Sequence, residues 1–295
     1  SNIRLIRLLY YLVIFPLSKL PLALLQGISS GLYYVVYSIL GYRLSVVRTN
    51  LELSFPDKNA TDRRQIERLY YRHFCDLIVE GIKNFSISKQ EVESRFFIEN
   101  PEMVDQYLGS GRHVIITGGH YNNWELYALA MPLYHRFSGL AIYKKLHNRF
   151  LDEKLRSSRE KYGLKMIPMK TTMDYFNRDA KRPKYGFVFG ADQSPKNGSN
   201  AYWMKFLNQD TALLFGAEKY AKEYDAPVVF GEITKVKRGY YSLKYQLITD
   251  HPKETPYGYI TEGHTKILEG MIQRNPPFWL WSHKRWKHKK PVNAG

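Results

Sequence analysis

From residue 95 onward the chain alternates between short β-rich runs and stretches of helix length, and that rhythm leaves few architectures open. The runs are "HVIITGG", "SGLAIYK", "KMIP" and "YGFVFGAD", and segments such as Glu102 to Leu108 and Trp124 to Leu133 separate them. Alternation of this kind predicts an α/β fold in which helices flank the faces of a sheet. Later, "PVVFGEITKVKRGYYSLKYQLIT" holds two strand-like runs parted by "KRG", as a hairpin turn would part them. An antiparallel pair therefore joins the sheet, which is expected to be mixed and largely parallel. Helices are expected over about Thr211 to Tyr224 and about Tyr257 to Gln273. There are no internal repeats, low-complexity tracts or linkers.

The N-terminal part has a different texture. No charged residue occurs from Leu20 to Tyr42, while Arg4, Arg7 and Lys19 precede that stretch and Arg43 and Arg48 follow it. Such a length suffices for a bilayer-crossing helix of about 20 residues, although Gln26, Ser29, Ser30 and two glycines dilute the signal. Residues 1–50 read as a helical membrane anchor, partly inserted or lying in the interface, ahead of an α/β domain over residues 51–295. A buried core helix would show the same apolar run. No small-residue cleavage pattern ends a short apolar segment, which argues against a cleaved signal peptide. After Pro56, capping residues near Thr61 open a long amphipathic helix whose apolar positions include Ile66, Leu69, Tyr70, Phe74, Leu77 and Ile78.

Composition narrows the partners. Forty-four Lys and Arg against 27 Asp and Glu give a net charge of +17, a field that attracts nucleic acid, anionic lipid surfaces or acidic proteins. The 24 Tyr and 5 Trp fit a membrane interface, where amphipathic rings settle at headgroup depth. No RNP-like run, KH-type loop or zinc-finger spacing is present, so nucleic acid is not expected as a partner. Cys75 is the only cysteine, which excludes an internal disulfide and any CxxC metal or redox site and fits a cytoplasm-facing location.

The chemistry concentrates in "ITGGHYNNWELYALAM", residues 116–131. On one continuous helix His120 and Glu125 would lie about 140° apart and could not share a proton. If His120 instead sits on the turn after a strand over 113–119, with the helix starting near Asn122 or Asn123, the imidazole can fold back over the first turn to Glu125. A carboxylate would then fix the ring tautomer while the other nitrogen takes a proton from a hydroxyl. Gly118 and Gly119 would leave the backbone open to substrate. The alternative is a surface histidine beside an acid favoured by the helix dipole. A metal site is not expected, since no second histidine lies four residues away. "GISSG" at 27–31 matches the nucleophile-elbow pattern but has no strand before it, so the hydroxyl to be activated is expected to belong to the substrate.

Further motifs, in order, are "RTNLELSFP" (48–56), "GGHYNNWE" with its H-x4-[DE] signature, "IYKKLHN" (142–148), "SREKYGLKMIP" (158–168), "GADQSP" (190–195), "TALLFGAEKYAKEYDAPVVF" (211–230) and "ILEGMIQRNPPFWLWSHKRWK" (267–287). In order and spacing the chain resembles the lysophospholipid acyltransferase superfamily, in the branch of the late acyltransferases of bacterial lipid A biosynthesis. The resemblance implies a glycerolipid acyltransferase-like fold at the cytoplasmic face of the bacterial inner membrane. It implies His120 as general base with Glu125 as its carboxylate partner, and transfer from an acyl thioester of acyl carrier protein or coenzyme A to a lipid hydroxyl. No covalent acyl-enzyme, metal or redox cofactor is implied. Lys144 and Arg159, with Arg156 as a competitor, match positions that hold phosphate or the developing oxyanion. Asp192 and Gln193 match the strand-end "DQ" of the site wall. Lys284 and Arg285, among the tryptophans of "WLWSHKRWKHKK", are expected at a phosphate-bearing headgroup layer, where each basic residue contributes about 1 kcal/mol. Two other readings predict different products: a nonenzymatic basic lipid-binding protein, and a lipid esterase or thioesterase.

Overall fold

The computed structural model describes residues 2–177, 184–198 and 201–291 of the chain, with residues 2 and 3 as backbone alone. Nine strands are present among them: β1 (Phe96–Ile98), β2 (Val114–Gly118), β3 (Gly139–Tyr143), β4 (Lys165–Pro168), β5 (Gly186–Gly190), β6 (Tyr202–Phe206), β7 (Gln209–Leu213), β8 (Val228–Lys237) and β9 (Tyr240–Thr249). Seven of them form one sheet in the order β1-β9-β8-β2-β5-β3-β4, and every pairing is parallel except the β8/β9 hairpin. The mixed, largely parallel sheet is the expected one. Parallel strands must bury both faces, which accounts for the unbroken "VII" of β2. Ile116 faces a core shared with helix Trp124–Tyr134, whereas Ile115 faces the opposite core against helix Gly216–Tyr224.

The helix expected over Thr211 to Tyr224 is shorter than its apolar pattern suggested. Thr211, Ala212 and Leu213 belong to β7, which pairs antiparallel with β6, and the helix begins only at Gly216. A short apolar run carries no periodicity that separates strand from helix. Leu207 and Asn208 close the β6/β7 hairpin with φ of 50° and 66°, the two left-handed positions of a tight primed turn.

Helix Ala60–Lys83 joins the N-terminal layer to the sheet. Its inner face carries carboxylates as well as the expected Ile66 and Tyr70, while Leu69 is exposed. Glu67 binds Arg48, Asp76 binds Arg238 and the Ser29 hydroxyl, and the fully buried Glu80 binds Arg95, Asn123 and Tyr241. Of these ion pairs only Glu80–Arg95 is buried on both sides, and removing one partner of such a pair costs about 3–5 kcal/mol. Helix Leu44–Ser54 runs unbroken across position 50, and Asn50 Nδ2 donates to the carbonyls of Trp281 and His283. The first fifty residues are therefore tied to the far end of the chain.

Candidate active site

The site lies at the C-terminal ends of β2 and β5, which are adjacent in the sheet. His120 follows β2 by two residues and Asp192 follows β5 by two, so strand pairing brings together residues far apart in sequence. The turn between β2 and the next helix is built by the two asparagines. Asn122 takes φ of 55°, a left-handed conformation that asparagine tolerates, and its side chain donates to the Ile233 carbonyl at 2.8 Å. Asn123 caps helix Trp124–Tyr134 by accepting from the Leu126 N–H at 2.8 Å, and its amide donates to Glu80 at 2.6 Å. Tyr121 pairs with Trp279 and donates to the carbonyls of Met271 and Asn275. His120 thus stands on a turn fixed at both sides.

The expected location of His120 is met, but its carboxylate partner is not Glu125. Asp192 Oδ1 lies 2.6 Å from His120 Nδ1, and Asp192 Oδ2 accepts from the His120 backbone N–H at 2.7 Å and from Trp279 Nε1 at 2.9 Å. Glu125 points across the helix start to Arg159, which grips it with two hydrogen bonds of 2.8 and 2.5 Å. The reason is directional: Glu125 sits in the first helical turn and faces helix Arg149–Glu160, not the preceding turn. Gly119 explains part of the fit, because a Cβ there would lie 2.8 Å from Leu268 and 3.2 Å from Asp192. Its lack of a side chain admits the carboxylate, and both Gly118 and Gly119 border the cavity beside His120.

Electrostatics follow from this arrangement. Burial alone would raise the Asp192 carboxyl pKa, but the His120 charge and hydrogen bond, the Trp279 N–H and the His120 backbone N–H lower it far below the ordinary carboxylate range. Burial alone would lower the His120 pKa, yet Asp192 and, at longer range, Glu125 outweigh it and hold the imidazole above its usual 6.5, with Arg159 opposing. A similar contest raises Arg159, whose charge burial disfavours and Glu125 restores. Only Gln193 Nε2, at 3.2 Å, stands near His120 Nε2 among the described hydrogen bonds.

Beside the ring opens a cavity of about 680 Å³ that runs between the sheet and helix Trp124–Tyr134. Its inner walls are apolar, with Ile116, Met131, Met166, Val188 and Leu243 among them. Polar groups gather at the mouth: His120, Glu125, Arg159, Lys144, Gln193, Lys196, His283 and Lys287. A pocket with apolar depth and a few convergent polar groups is the form of a site for a largely hydrocarbon ligand. Among the described residues, no cluster of three or more His, Cys, Asp and Glu is placed to hold a metal ion.

The C-terminal segment departs from expectation. Trp279 and Trp281 are buried, not placed at a headgroup layer; Trp279 braces Asp192, and Trp281 donates to the Pro276 carbonyl. Lys284 is exposed and does not border the cavity. Arg285 is 1% exposed, lies behind Asp192 with His264, and burial brings its pKa down to about 10 against the pull of Asp192. Neither is placed to hold substrate in the cavity, since Lys284 is turned to solvent and Arg285 is buried beside Asp192 and His264. The neighbours His283 and Lys287 reach it instead, and His283 Nε2 accepts from the Ser194 N–H at 3.2 Å. The basic run marked the region without distinguishing these positions.

Comparison with known proteins identifies the family. The profile of the family described as bacterial lipid A biosynthesis acyltransferase matches residues 2–288. The chain is 24% identical over 280 residues to the lipid A biosynthesis palmitoleoyltransferase of Escherichia coli (strain K12), covering 93% of this chain and 88% of that protein. Identity and coverage are the same with a lipid A biosynthesis acyltransferase of Shigella flexneri. Another lipid A biosynthesis acyltransferase, from Haemophilus influenzae, is 21% identical over 247 residues, 83% of this chain and 78% of that protein. With the match running through nearly its whole length, the chain belongs to the bacterial lipid A biosynthesis acyltransferase family and is an acyltransferase.

Proposed function

We propose that the protein transfers a fatty acyl chain from an acyl thioester, carried by acyl carrier protein or coenzyme A, to a hydroxyl of a lipid A precursor. One observation carries this reading: an imidazole whose Nδ1 is held by a buried carboxylate turns its Nε2 edge to the mouth of a deep apolar cavity. With Nδ1–H donated to Asp192, Nε2 is the acceptor tautomer. It takes the acceptor hydroxyl proton as that oxygen attacks the thioester carbonyl. The C–S bond then breaks, and the imidazolium returns the proton to the departing thiolate. No covalent acyl-enzyme and no cofactor enter this sequence. Glu125 acts through its charge on the ring and through its grip on Arg159, whose remaining N–H groups, with Lys144, are available to substrate phosphate or the developing oxyanion.

The same reading has residues 1–50 at the cytoplasmic face of the bacterial inner membrane. Leu22–Ile39 is long and apolar enough to cross a bilayer, and only 22% of it is buried. However, Ser29 is bonded to Asp76, and Arg238 reaches the Gln26 carbonyl and the Ser30 hydroxyl. These ties hold the helix along Ala60–Lys83, so it lies in the interface with Leu24, Ile28, Val35 and Ile39 outward. The +17 balance draws anionic lipid and a strongly acidic carrier protein alike.

Purified protein incubated with an acyl thioester and a lipid A precursor in vesicles tests the reaction. The expected product is a precursor heavier by one acyl chain. Free fatty acid released equally without acceptor would favour thioesterase chemistry instead.

A further inference from the structure

The apolar cavity has an end as well as a mouth, and two features of the fold measure the distance between them. Strand β5 begins and ends in glycine, Gly186 and Gly190, with Val188 between them on the cavity wall. At its upper end, a Cβ on Gly190 would lie 3.2 Å from His120 Cε1. At its lower end, a Cβ on Gly186 would lie 3.4 Å from Met131 Cε. The imidazole and the methionine tip therefore stand over the two ends of one strand. Four strand steps span about 13 Å.

Helix Trp124–Tyr134 gives a second measure. Trp124, Ala128 and Met131 recur at helical spacing along the face that borders the cavity, and seven residues of helix rise about 10 Å. Small residues leave the passage between them open: Ala128 and Ala141 border it, and Gly231 borders it from β8. Met131 closes it. Its tip lies over Gly139 and Gly186, the first residues of β3 and β5, and neither of these glycines borders the cavity itself. The contact is tight, since a Cβ on Gly139 would fall 2.8 Å from Met131 Cε, 2.9 Å from Sδ and 3.1 Å from a Leu164 methyl.

We propose that Met131, seated over Gly139 and Gly186, is the floor of the acyl cavity and the residue that sets the length of chain this enzyme transfers. This deepens the acyltransferase reading and rests on it. At about 1.25 Å of advance per carbon in a staggered chain, 10–13 Å accommodates roughly eight to ten carbons beyond the reacting centre. A longer chain must displace the methionine tip into strands that leave it no room. A shorter chain leaves part of the apolar wall uncovered and loses transition-state binding.

The floor can be moved both ways. Met131→Ala removes the tip and opens the space above Gly139 and Gly186, so the preferred chain should lengthen by about two carbons or more. Gly139→Ala pushes the flexible tip toward the cavity, the one side with free volume, so the preferred chain should shorten. Gly186→Ala acts in the same direction with a milder contact, and serves if Gly139→Ala does not fold. Rates with saturated acyl thioesters from about eight to about sixteen carbons give the readout. A misfit of one methylene in an apolar pocket changes kcat/KM by roughly 10- to 200-fold, so the ratio of long to short donors should shift at least tenfold, in opposite directions for the two kinds of variant. Variants that slow all chain lengths by one common factor would overturn the assignment and put the floor elsewhere. Absence of transfer by the wild type with every donor would instead overturn the reading of the site on which the proposal rests.

Discussion

Helix Trp124–Tyr134 carries a histidine–aspartate pair at each end, and the two differ in what surrounds them. Before its first turn, His120 binds Asp192 at 2.6 Å; at its C-terminal cap, His135 binds Asp105 at 2.8 Å through the same ring nitrogen. The second nitrogen separates them. His135 Nε2 is closed by the Tyr245 hydroxyl at 2.8 Å, which in turn meets the Tyr127 hydroxyl at 3.0 Å, and the side chain is 1% exposed. His120 is 23% exposed, and its Nε2 faces the cavity mouth with the exposed Gln193 amide 3.2 Å away. A carboxylate-bound imidazole is therefore not a catalytic signature in itself. Chemistry requires a free edge, a cavity for the substrate, and charges that tune the ring.

The comparison breaks most sharply under alanine. His120→Ala should cut acyl transfer by about 10²- to 10⁴-fold or more, since removal of general base catalysis alone has that size, while the folded protein remains. His135→Ala should do the reverse. It takes a partner from the half-buried Asp105 carboxylate and from the Tyr245 hydroxyl, which keeps Tyr127, and leaves a cavity in place of the ring, at a cost of about 1–3 kcal/mol in stability. The protein that stays folded should turn over at close to the native rate. Thermal melts and initial rates on both variants decide this, and a His135→Ala enzyme that keeps its melting temperature but loses turnover would erase the distinction.

The aspartates sharpen it. Asp192→Asn keeps the shape but offers His120 Nδ1 a group that can donate, which favours the wrong tautomer, and a loss of about 10²- to 10⁴-fold is expected. Asp105→Asn at the other end of the helix should change the rate less than threefold or so, with a stability cost of about 1 kcal/mol. Equal losses in the two would mean that helix packing, not ring orientation, is what Asp192 supplies.

This contrast also shows what was readable beforehand. The turn carrying His120 was legible because glycine, histidine and asparagine between a β-branched run and an apolar helix leave few conformations. Glu125 looked like the ring's partner because it is near in sequence. Asp192 is 72 residues away, and only the adjacency of β2 and β5 brings it in. Strand order is a property of the whole sheet, and local pattern does not encode it. The same limit applies to "WLWSHKRWKHKK", whose composition resembles an interfacial belt while Trp279 and Trp281 fill the core, Arg285 is buried with them, and His283 and Lys287 are the residues that border the cavity. At the β6/β7 hairpin, a buried leucine occupies a left-handed position that turn chemistry normally gives to glycine or asparagine, so the sequence signal was missing.

The smallest of the expected effects is a shift in pH dependence, and it distinguishes the two pairs by sign. Around His120 the charged and titratable groups are Asp192, Glu125, Arg159 and His283, and their sum holds its pKa above 6.5 despite burial. Around His135 burial wins over Asp105, and the pKa lies below 6.5. As a base, His120 works only when neutral, so transfer should rise with pH through a limb above 6.5. Its raised pKa also means that its contribution to stability is complete below 6.5 and is lost as pH climbs through the folded value. His135 runs the other way: its depressed pKa stabilises the fold above 6.5 and loses that stabilisation as pH falls toward the folded value. In Asp192→Asn the largest upward pull on His120 is gone while burial remains, so the residual activity should keep its acid limb at lower pH than in the native enzyme. Asp105→Asn should leave that limb where it was. Rate–pH profiles of the two variants, measured with one donor at fixed ionic strength, make the comparison, and a limb that moves by the same amount in both would show that the charge beside His120 is not what sets its basicity.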